Sequence, residues 1–134
     1  MDNTQSLSYR VQGAIFEVYN NLGPGLLESV YQAALMHELK LRGMKVEEFV
    51  KWPVLYKNVE VKEAFVLDII VENRIIIEIK SVQELDKVHF KQILNYLRLK
   101  DLYIGFLVNF NAISLDDQQL IKVFNKHATD KTDY

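Results

Sequence analysis

Three charged residues stand where charge is costly. Asp68 lies in Val66-Leu67-Asp68-Ile69-Ile70-Val71, and Glu78 and Lys80 lie in Ile75-Ile76-Ile77-Glu78-Ile79-Lys80. Runs this apolar belong inside a protein, where an isolated carboxylate protonates, pairs or binds a metal ion. Two nearby carboxylates repel each other, and a divalent cation relieves that repulsion. The chain has no cysteine, and His37, His89 and His127 are scattered. An all-oxygen donor set suits Mg2+ or Mn2+ better than zinc. The chemistry open to two carboxylates, a divalent ion and a lysine is metal-assisted hydrolysis. Taken alone, Glu-x-Lys is more often the polar face of a half-exposed strand, with an aspartate such as Asp68 capping the strand end.

The elements that must position these residues follow from apolar periodicity. Leu7, Val11, Ile15, Val18 and Leu22 recur at helical spacing and predict a helix over roughly Gln5 to Asn21. Gly23-Pro24-Gly25 breaks it, and a second helix is expected from about Leu27 to Arg42, stopped by Gly43. Val46 to Tyr56 reads as a strand that Pro53 confines to a sheet edge or a bulge, with Lys57-Asn58 as a turn. Phe65 to Val71 and Arg74 to Ile79 read as a central hairpin around Glu72-Asn73. Leu85 to Lys100 is helical in pattern and Leu102 to Val108 is a buried strand. Ser114-Leu115-Asp116-Asp117 resembles a capping box opening a last helix through about Asn125, and the polar tail from Lys126 is expected to fray. The whole is one α/β sandwich, a single domain over 1–134 with its core at about 7–125.

Strand parity sets a condition on the hairpin. A strict two-residue loop would put Asp68 opposite Ile77 and point Glu78 to the other face. A common site for Asp68 and Glu78 therefore requires a three-residue loop or a β-bulge.

Composition bounds the rest. At 134 residues the chain suits one domain with a proper core. No apolar run reaches the roughly 20 residues a bilayer crossing needs, so no membrane association is expected. The start, MDNTQSLSYR, lacks the apolar core of a signal peptide, and a cytoplasmic location is the default expectation. A net charge of −2 counts mildly against a nucleic-acid partner, although a local Lys/Arg cluster can coexist with acidic ligands elsewhere. There is no phosphate loop ending in Lys-Ser or Lys-Thr and no HExxH.

In order along the chain, these residues resemble the signature of the PD-(D/E)xK nuclease superfamily, with Asp68 as the motif aspartate and Glu78-Ile79-Lys80 as the (D/E)xK. Gly25-Leu26-Leu27-Glu28-Ser29-Val30-Tyr31 fits GxxExxY, the pattern that names a small family in that superfamily. The likeness runs from GPGLLESVYQAAL through the Glu-Ile-Lys strand to HFKQILNYL and LVNF, roughly residues 7 to 125. It implies a restriction-endonuclease-like sandwich whose mixed central sheet, of about four strands, is flanked by helices. Gln92 and Tyr96, four apart on one helical face, resemble the QxxxY motif of RecB-like nucleases. Relatives often carry an arginine two residues before the motif aspartate, where this chain has Val66.

The resemblance implies a metal-dependent nuclease acting on DNA or RNA. Asp68, Glu78, the Ile79 carbonyl and Glu28 would hold Mg2+ or Mn2+, and Lys80 would orient water and offset charge. Gln92, Tyr96 and His89 would position substrate. Tyr31 is expected to be structural, with its ring in the core and its hydroxyl satisfied by a neighbour. By analogy with small nuclease folds, a homodimer or a protein partner would complete the substrate cradle. The alternative is a catalytically silent binding or assembly module on the same fold.

Overall fold

The computed structural model describes residues 5–134, apart from the side chains of residues 62–64. Residues 1–4 of the expected domain, the beginning of the segment that lacks a signal-peptide pattern, lie outside the described residues. Helix α1 (Leu7–Leu22) begins where the Ser6 side chain accepts a hydrogen bond from the Tyr9 amide, and it gives way at Gly23, which takes a φ of 67°. Helix α2 (Glu28–Leu41) follows the Gly23-Pro24-Gly25 break.

Tyr31 ties that break together. Its hydroxyl donates to the Gly23 carbonyl (2.5 Å) and accepts from the Leu26 amide (3.1 Å). Its buried ring stacks on Phe110 at 4.5 Å between centroids. Tyr31 thus has the structural position the sequence assigns it. Tyr31→Phe should lower stability by about 1 kcal/mol through loss of these bonds. A urea midpoint equal to that of the parent protein would show that the loop does not depend on them.

Among the described residues, five strands form one mixed sheet in the order β1 (Val46–Tyr56), β2 (Val59–Val71), β3 (Ile75–Lys80), β4 (Ile104–Asn109) and β5 (Leu120–Phe124). All neighbours are antiparallel except β3 and β4, which are parallel and joined through helix α3 (Lys87–Leu99). Pro53 lies on edge strand β1, and the register shifts between Pro53 and Leu55, as its missing N–H demands. Helices α1 and α2 cover one sheet face, where Val11, Ile15, Leu35 and Leu39 pack with Ile69, Ile77, Ile79 and Phe106. Helix α3 covers the other, with Ile93, Tyr96 and Leu97 over Leu67, Ile76 and Leu107. The approach of α3 is close: a Cβ on Gly105 would lie 2.9 Å from Ile93 Cδ1 and 3.3 Å from the Ile76 carbonyl oxygen.

Two expectations fail in the last quarter of the chain. The segment from Ser114 to Asn125 is not a helix. Asp116 closes a single turn, accepting the Gln118 amide on its side chain and the Gln119 and Leu120 amides on its carbonyl. Leu120-Ile121-Lys122-Val123-Phe124 then pairs with β4. Strand β4 is buried along its whole length, so an unpaired edge there would strand its backbone groups away from water. That tertiary demand outweighs the local helix signal and gives five strands rather than about four. Nor does the tail fray. The Asn125 side-chain amide donates to the Leu97 and Leu102 carbonyls, and the Thr129 amide donates to Asp101. Asp133 accepts from the Ser8 amide and hydroxyl, and Arg74 lies 3.4 Å over the Tyr134 ring. Among the described residues, no helix is long and apolar enough to cross a membrane.

Candidate active site

The β2–β3 hairpin turns through three residues, Glu72-Asn73-Arg74, since Val71 pairs with Ile75, Ile70 with Ile76 and Ile69 with Ile77. Glu72 and Asn73 adopt φ of 53° and 55° to make the turn. A three-residue loop is one of the two irregularities, either of which satisfies strand parity. Continued by one position, the register sets Asp68 across from Glu78.

At that position side chains take over from the ladder. The Asp68 amide donates to Glu78 Oε1 (3.3 Å), and the Ile79 amide donates to Asp68 Oδ2 (2.7 Å). On the other side, the β1–β2 register skips Phe49 and Asp68, and Phe49 stands at φ 51°. Strand β2 turns over here. Ile69 and Val71 belong to the α1/α2 layer, whereas Phe65 and Leu67, of the same parity, belong to the α3 layer. The Asp68 carbonyl accepts from Gln32 Nε2 on α2 (2.8 Å).

Glu78 is buried, at 5% exposure, and Asp68 is half-buried. Burial first, and the Asp68 charge second, push the Glu78 carboxyl up to about 9. Asp68 is raised too, chiefly by burial, although the Ile79 amide and the Lys80 charge pull it back. Near neutral pH the pair therefore keeps a proton. Lys80 is half-buried, and its charge favours the ionised form of both carboxyls.

The other expected residues divide into those that approach this pair and those engaged elsewhere. Gln92 Nε2 donates to the Tyr96 hydroxyl at 2.6 Å, so the two act as one unit on α3. The phenol of Tyr96 is raised by burial and then by the Glu78 charge, which places it within electrostatic reach of the carboxylates. The Ile79 backbone joins the site through its amide. Glu28 opens α2 and accepts the Ser81 amide at 3.2 Å, just past the end of β3. Its charge is felt at Asp68, yet among the described residues no group of three or more acidic or histidine side chains gathers closely enough to hold a metal ion. His89 is occupied in the capping box of α3, where Nδ1 accepts the Asp86 amide at 3.0 Å. Gln32 was not among the sequence candidates. A polar residue directly after the Tyr31 core position was its only signal.

A model of the PD-(D/E)XK nuclease superfamily matches residues 5–123. No curated protein and no solved structure gives a significant match.

Proposed function

Because the chain belongs to the PD-(D/E)XK nuclease superfamily, we propose that it hydrolyses phosphodiester bonds of DNA or RNA with Mg2+ or Mn2+ held by Asp68 and Glu78. The observation that carries this reading is the pair of facing carboxylates standing in place of a strand ladder. Near neutral pH the burial of two such carboxyls costs free energy that an apolar pair would not. The donors fit a hard divalent ion, because both are carboxylates and a nearby double positive charge would reverse the upward push on Glu78. The Ile79 carbonyl would add a neutral oxygen, and Glu28 would join once its side chain leaves the Ser81 amide. When bound, the ion would supply a water of lowered pKa and positive charge opposite the attacked phosphate.

The chain's own residues do the rest. Lys80 lies on the Glu78 side of β3, where its amine holds the attacking water and offsets charge on the phosphate. The Gln92–Tyr96 pair borders the carboxylates and positions the substrate strand. Helix α3 supplies a surface for phosphates. Lys87, Lys91 and Arg98 are exposed, and the helix carries no acidic residue. At 3.6 residues per turn these three side chains fall within an arc of about 40°, on the side of the helix turned away from Tyr96 and the sheet. Such a stripe offsets the slight overall acidity, since phosphate affinity depends on local cations. The GxxExxY segment fits as the element that brings Glu28 to the end of β3.

Incubation with single- and double-stranded DNA and RNA tests the proposal. Cleavage of at least one substrate is expected with Mn2+ and not with EDTA. A protein that binds Mn2+ yet cuts none of them would instead be the silent binding module.

A further inference from the structure

We infer that Gln32 is a positioning residue for Asp68 and is itself oriented by Glu48; this rests on the reading of Asp68 as a metal ligand. The Asp68 peptide sits where both neighbouring ladders are interrupted, so side chains must hold it. Its amide goes to Glu78 and its carboxylate takes the Ile79 amide, both within the proposed site. Its carbonyl is held from outside that site, by Gln32 Nε2 at 2.8 Å.

Gln32 is only 6% exposed and stands beside the core residues Tyr31, Leu35 and Met36 of α2. A buried primary amide must use its N–H groups, and these two have partners: the Asp68 carbonyl and Glu48 Oε2 at 3.3 Å. Glu48 precedes Phe49, the residue whose positive φ accompanies the break in β1. The three residues make a relay in which an exposed carboxylate orients a buried amide, and the amide fixes the peptide carrying the metal-binding side chain. Partners of this kind, one step removed from a metal, typically change its affinity by about 10–100-fold.

The test is Mn2+ titration of the full chain, following free Mn2+ by electron paramagnetic resonance, beside a denaturant midpoint for each protein. Gln32→Met, of similar length but unable to donate, should bind at least about 10-fold more weakly. Ile15→Val, a core truncation on α1, should lower the midpoint and leave affinity unchanged, which separates positioning from stability. Glu48→Ala should weaken binding in the same direction, whereas Glu48→Gln, whose amide oxygen still accepts, should not. If Gln32→Met does not fold, the Glu48 pair decides. Wild-type affinity in both Gln32→Met and Glu48→Ala overturns the relay. So does equal weakening in Glu48→Ala and Glu48→Gln, which would make Glu48 a ligand. A wild-type chain that binds no Mn2+ overturns the underlying metal-site reading instead.

Discussion

Asp68→Asn should lose more than about 100-fold in Mn2+ affinity while unfolding near the parent protein's denaturant midpoint. The magnitude follows from the cost of outer-shell losses, about 10–100-fold, which removal of a ligand's charge should exceed. Stability should hold because the asparagine Oδ1 can still accept the Ile79 amide, which lies 2.7 Å from Asp68 Oδ2. Asp68→Ala is the poorer test. It strands that amide inside the sheet at a cost of about 1–3 kcal/mol and confuses folding with binding. Titration of the asparagine variant at matched folded concentration checks the prediction. Unchanged affinity would place the ion away from the β2–β3 break.

The second large effect is on pH. The Glu78 carboxyl titrates near 4.5 when unperturbed and is pushed up to about 9 in the folded chain by burial and the Asp68 charge. Between those limits the folded state binds a proton that the unfolded state has released. Stability from this group is therefore complete below about pH 4.5 and is lost as pH rises toward about 9. Divalent-ion binding has to expel the same proton, so Mn2+ affinity should rise with pH through this window, by up to about tenfold per unit. Glu78→Gln removes the Glu78 part of both dependences and should stabilise the chain in EDTA above about pH 4.5, because a neutral amide carries no cost of burying charge. Thermal unfolding in EDTA at several pH values, for both proteins, reads this directly. Parallel profiles would mean that another group carries the pH dependence.

How much of this was legible in the sequence depended on whether a signal was local. Asp68, Glu78 and Lys80 stood out because each interrupts an apolar run, and alternation of strand side chains then required an irregular hairpin. The observed turn at Glu72-Asn73-Arg74 meets that requirement. Pro53 likewise announced an edge strand with a register shift. The last strand was hidden because Ser114 to Asp117 carries a local helix-start pattern, while the need to cover β4 arises only in the assembled sheet. The docked tail was hidden for the same reason: Asp133 meets Ser8, and Thr129 meets Asp101, across large separations in the chain. Gln32 escaped notice because a glutamine on a helix is ordinary. Only the break opposite Asp68 gives its amide a task. His89, which the resemblance sets beside the substrate, also caps α3 through Nδ1, a bond that no spacing in the sequence announced.

The most direct test compares cleavage by the wild-type chain and Lys80→Ala, both prepared identically, on the same labelled DNA and RNA in Mn2+. The variant keeps Asp68 and Glu78, so it should retain the fold and the ion while losing the amine. The expected result is Mn2+-dependent cleavage by the wild type and a rate at least about 100-fold lower for Lys80→Ala. Equal cleavage by the two proteins would contradict a hydrolytic site built on Asp68, Glu78 and Lys80.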